Sequence, residues 1–91
     1  MNQIMKDHIS DLLYAIEKIM NDNVCSVEET FGGAIIIKVT PVLKIWGEYN
    51  KNFGWTIGPL RPSAGWKEIR VGTLGWDTKF KEVLHNYTKW L

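Results

Sequence analysis

From Ile35 to Tyr49 the chain alternates between two sets of residues. The odd positions read Ile35, Ile37, Val39, Pro41, Leu43, Ile45, Gly47 and Tyr49, and the even positions read Ile36, Lys38, Thr40, Val42, Lys44, Trp46 and Glu48. A period of two predicts β structure with the odd set on the buried face of a sheet. A straight strand of that length would run roughly 50 Å at about 3.3 Å per residue. A domain of this size has a radius of gyration near 12 Å, on the order of a quarter of that run. The strand is therefore expected to bend or break at Thr40-Pro41, where proline removes a ladder donor.

The flanking segments switch to the helical period. Met5, Ile9, Leu12, Leu13, Ile16, Ile19 and Met20 share one apolar face, with Tyr14 in the middle of the polar side. Asn21-Asp22-Asn23 predicts the end of this first helix. A second helix follows from Trp76, Phe80, Val83, Leu84, Tyr87, Trp90 and Leu91, with Asp77 as its expected N-cap.

Turn parity sets the expected strand pairing. A three-residue loop at Asn50-Lys51-Asn52 opposes Tyr49 to Phe53, Gly47 to Trp55 and Ile45 to Ile57, and keeps all six on the apolar face. A loop at Gly32-Gly33-Ala34 likewise opposes Phe31 to Ile35, Val27 to Val39 and Glu28 to Lys38. Cys25 and Glu29 then fall on the inward set of the first strand. A last strand is expected from Lys67 to Thr73, after a loop running from Gly58 to Gly65. Residues 1–91 thus predict a single α+β domain in the order helix, four antiparallel strands, helix. The second strand is long and bent at Pro41, and both helices cover one face in a two-layer sandwich.

This register sorts the five tryptophans. Trp55, opposite the bare backbone of Gly47, is expected in the core together with Trp76 and Trp90. Trp46 and Trp66 occupy even positions on the face no helix needs to cover, near Ile36, Val42 and Leu60. An uncovered sheet face is normally polar in alternation, and apolar patches often mark contacts. The competing expectation is that the loop from Pro59 to Gly65 folds back over this face, or that the sheet coils on itself.

Composition excludes more than it suggests. Eleven basic and ten acidic residues leave a formal charge of +1, so no global field draws the protein to nucleic acid or an anionic membrane. The longest aliphatic run, Ala34 to Ile37, is far too short to cross a bilayer. MNQIMKDHISD has no continuous apolar stretch before its charges, and one cysteine, Cys25, makes no internal disulfide. A cytoplasmic location is expected. Nine Lys against two Arg is the bias of an AT-rich genome, which suits a phage or mobile-element origin.

Candidate chemistry is sparse, and an enzyme is not expected. His8 lies at the edge of the first helix's stripe and His85 on the solvent side of the second. Neither is placed to activate Cys25, and their spacing matches no zinc site. Gly32-Gly33 leads into a strand, whereas phosphate loops lead into a helix. Glu28 and Glu29 are adjacent on a strand and point to opposite faces. No cofactor or metal is expected.

Two kinds of partner compete. Aromatics on an open sheet beside lysines can stack the bases of single strands. Here Lys38, Lys44 and Arg70 are offset by Glu28, Glu48 and Glu68, which removes the attraction for phosphates. The helix–strands–helix order resembles the topology of double-stranded RNA-binding domains, but Asp77-Thr78-Lys79-Phe80-Lys81 lacks a dense lysine cluster. The leading expectation is a protein-binding module, an adaptor or inhibitor acting by steric occupation on a partner or on a second copy. Its contact is expected at Trp46 and Trp66, with Lys44, Thr56, Arg61 and Arg70 around them. Nucleic acid bound on the same face is the alternative.

Overall fold

A computed structural model describes residues 3–30, 34–60 and 68–88. Helix α1 (Gln3–Met20) leads into strands β1 (Ser26–Glu29), β2 (Ile35–Lys38), β3 (Lys44–Asn50), β4 (Gly54–Pro59) and β5 (Ile69–Arg70), and helix α2 (Trp76–Thr88) follows. The strands form one antiparallel sheet in chain order, a meander in which each strand pairs with the next. The class is α+β, as the patterning predicts. There are five strands, however, where four are expected.

The difference lies at Pro41. The chain there does not bend within one strand but reverses into a hairpin, opposing Ile37 to Ile45 and Lys38 to Lys44. Thr40 organises the turn. Its Oγ1 accepts from the backbone N–H of Val42 (3.3 Å) and of Leu43 (3.1 Å). The Val39 N–H donates to the Leu43 carbonyl at 2.9 Å across the turn. Proline presets φ and has no N–H to strand, so it is suited to a turn. Reversal also answers the length problem, because the longest extent of the molecule is 37 Å. The loop is odd, so every side chain keeps its predicted face.

Two registers differ from expectation by two residues, again without changing faces. Tyr49 opposes Trp55 and Gly47 opposes Ile57, with Asn50 paired to Gly54. Asn50 causes this shift: its Oδ1 accepts from the Asn52 N–H at 2.7 Å and its carbonyl from the Phe53 N–H at 3.2 Å. Gly54 then takes φ +77°, a conformation that glycine adopts without penalty. Phe53 consequently sits in the turn, 57% exposed, and not inward. Between β1 and β2, Val27 opposes Ile37 and Glu28 opposes Ile36. Thr30 closes that turn, its N–H and Oγ1–H both donating to the Ala34 carbonyl at 2.9 Å. Phe31, Gly32 and Gly33 lie outside the described residues.

The Gly54 conformation yields a clean prediction. A methyl group there would meet nothing within 4 Å, so Gly54→Ala isolates the backbone cost. It should lower unfolding free energy by about 1–2 kcal/mol. A gain in urea unfolding would show that φ at this position is negative.

The core is built from the odd strand residues and the helix stripes. Ile35, Ile37, Val39, Leu43, Ile45, Trp55, Ile57 and Ile69 are buried with Ile9, Leu12 and Ile16 of α1 and Phe80 and Val83 of α2. Both helices therefore pack on the odd face. Trp76 packs partly buried against this cluster, and Trp90 lies outside the described residues. Gly47 is not opposite Trp55 but diagonal to it, and its bare backbone is not what makes room for the indole: a Cβ there would stand 3.5 Å from the ring, an ordinary contact. Trp55 Nε1–H donates to the His8 carbonyl at 2.9 Å, and the His8 ring stacks on Tyr49 at 4.0 Å. These contacts tie α1 to the β3–β4 end of the sheet.

Several local expectations need correction. Asn21, at φ 56°, ends α1 as predicted, and Tyr14 is exposed. Cys25 precedes β1 and is exposed, not inward, because the strand begins only at Ser26. Glu29 is exposed as well. The N-cap of α2 is Gly75, whose carbonyl accepts from the Lys79 N–H at 3.1 Å. Asp77 sits in the first turn, where its charge favours the helix dipole. The last strand is two residues long because the chain turns at once: the Arg70 carbonyl accepts from Thr73 Oγ1 at 2.7 Å.

Candidate functional site

With both helices on the odd face, no helix among the described residues covers the even face of the sheet. Its residues fall into rows across the strands. Ser26, Lys38 and Lys44 form one row; Glu28, Ile36, Trp46 and Gly58 form the next; Glu48, Thr56 and Arg70 form the third. Trp46 is at the centre, on the middle strand of the sheet.

Gly58 explains how the indole lies. A Cβ on Gly58 would stand 3.0 Å from Trp46 Cε2 and Cζ2, tighter than most Cβ contacts. The ring is thus laid across the bare backbone of β4, and Gly58 is buried beneath it while Trp46 stays half-buried. Ile36 is Trp46's direct partner on the other side and is also half-buried. Val42 and Leu60 are exposed apolar side chains in the adjoining turn and after β4.

The structure brings some of the expected contact residues together and separates others. Lys44, Trp46 and Thr56 share the face, with Thr56 opposite Glu48 and one row removed from Trp46. Gly58, absent from the expected set, takes the place across from Trp46. Arg70 stands at the β5 edge, its guanidinium carbon 4.5 Å above the centre of the Phe53 ring. That cation–π pair, in reach of both groups because the β3–β4 turn leaves Phe53 exposed, draws the charge toward the rim. Arg61, Trp66 and the stretch from 61 to 65 that could fold over the face lie outside the described residues.

Gly58 and Phe53 are legible only once the register is correct. The signal was present: Asn at 50 and Gly at 54 mark the two ends of a turn more strongly than the Asn50-Lys51-Asn52 loop does.

The groups that could carry catalysis are dispersed. His8 is on α1 with its ring against Tyr49, Cys25 is in the connection before β1, and His85 is exposed on α2. Among the described residues no group of three His, Cys, Asp or Glu side chains gathers to hold a metal ion, and no helix is long and apolar enough to cross a membrane. Compared with protein-family models, curated proteins and solved structures, the chain matches none.

Proposed function

We propose that this protein is a small non-enzymatic binding module whose even sheet face, centred on Trp46, docks on another protein and acts by occupying its surface. The observation that carries the reading is the seating of Trp46 on Gly58. The indole is held flat on a backbone, without helix cover, and so is oriented before any partner arrives. Preorganisation lowers the cost of binding, and tryptophan is the residue most enriched among interface hot spots. Ile36 beside it extends the apolar centre, and the charged residues of the flanking rows give the polar rim expected around such a centre. The exposed, unpaired Cys25 fits a reducing cytoplasm.

Trp46→Ser tests the reading, by asking whether association is lost while the fold remains. Nucleic acid on the same face is disfavoured by charge: Lys38, Lys44 and Arg70 are matched by Glu28, Glu48 and Glu68, and Arg70 is engaged with Phe53. Single- and double-stranded oligonucleotides should show no binding at micromolar concentration and physiological salt by fluorescence anisotropy. Binding that weakens steeply with added salt would promote nucleic acid over protein as the partner.

A further inference from the structure

Two lysines of the even face share one row. Lys38 and Lys44 are direct cross-strand partners, an arrangement that repels, and among the described residues neither has an acidic partner. Along β3 the outward residues are Lys44, Trp46 and Glu48. Opposite charges therefore stand at equal distances, about 7 Å at strand spacing, on either side of the indole.

The geometry points to a second copy of this chain as the occupant of the face, seated about a two-fold axis that runs across the strands at Trp46. This rests on the reading of the even face as a protein interface and names its partner. Rotation about that axis lays β3 antiparallel over its counterpart. It brings Trp46 onto Trp46 of the partner subunit, and Lys44 onto Glu48 of the partner subunit, twice. A patch of this kind is what an isologous dimer requires; the same axis sets Glu28 against Glu28 of the partner subunit at the β1 edge, one like-charge contact against the two opposite-charge ones. The other in-plane axis, along β3, would set Lys44 on Lys44 of the partner subunit and is opposed by repulsion. Packed sheets cross at about 30°. At about 7 Å from the axis this displaces the paired charges by roughly 3–4 Å, within the span of a lysine side chain.

Size fixes the strength. Five strands about 4.8 Å apart and three rows of side chains offer roughly 400–500 Å2 per protomer. The total, about 900 Å2, is below a standard interface, so the dimer should come apart on dilution.

Sedimentation equilibrium on the full chain tests the arrangement with Lys44→Glu, Glu48→Lys, the double variant and an equimolar mixture of the two single variants. Both side chains are exposed, and Lys44→Glu places an acid beside Lys38, so loss of fold is not the expected reading of a lost dimer. Each single variant alone should dissociate at least about tenfold more readily, since it sets like charges against each other. The double variant and the mixture should both return to near wild type, because each restores opposite charges at both contacts. A wild-type chain that stays monomeric up to millimolar concentration overturns the second copy, yet leaves the face open to a different protein. A dimer indifferent to the charge variants but lost in Trp46→Ser overturns this two-fold and keeps the interface. A dimer indifferent to both places association elsewhere and overturns both readings.

Discussion

Ile37→Ala should lower the free energy of unfolding by about 2–5 kcal/mol, the usual cost of emptying a fully buried aliphatic site. Ile37 has no exposed surface and lies between Val27 and Ile45 across the strands. Its neighbours on the odd face are held by both helices, so little can collapse into the space. Domains of this size are stable by about 5–14 kcal/mol in total, and the variant should forfeit a large part of that. Ile36, one residue away on the half-buried even face, should cost under about 1 kcal/mol as alanine. Urea unfolding of the pair measures the contrast. Equal losses, or a loss below about 1 kcal/mol at Ile37, would mean that the helices do not define the buried face.

That contrast rests on a feature legible from the sequence alone. The two-residue alternation from Ile35 to Tyr49 assigns each side chain to a face, and the assignment survives both register shifts and the hairpin at Pro41. It survives because every turn encloses an odd number of residues, and parity, not exact pairing, decides the face. The strand count was less legible. Bending and reversing both shorten a long strand, and alternation alone does not distinguish them. Thr40 did carry the information: a hydroxyl before Pro-Val can accept two successive N–H groups and close a turn.

The site was legible in the same uneven way. Trp46 on the helix-free face follows from parity. Its seat on Gly58 does not, because it needs the exact pairing of β3 with β4, which Asn50 and Gly54 set through side-chain acceptance and a positive φ. The same turn moves Phe53 out of the core and under Arg70, a contact that alternation assigns to the wrong face. Short-range turn chemistry, not hydrophobic pattern, decides these positions.

Trp46→Ser should separate binding from folding. The residue lies on the even face over Gly58 and takes no part in the buried cluster of the odd face. The substitution should therefore cost about 1 kcal/mol or less in stability, against several for Ile37→Ala. Its effect on association should be larger. Removing a central tryptophan from an interface costs about 2 kcal/mol or more, roughly thirtyfold in the dissociation constant. The direct measurement is thermal melting and sedimentation velocity on one preparation of Trp46→Ser beside wild type. The interface account predicts a nearly unchanged melt, with dimer replaced by monomer at concentrations where wild type associates. A variant that melts and associates like wild type, or that unfolds outright, would contradict it.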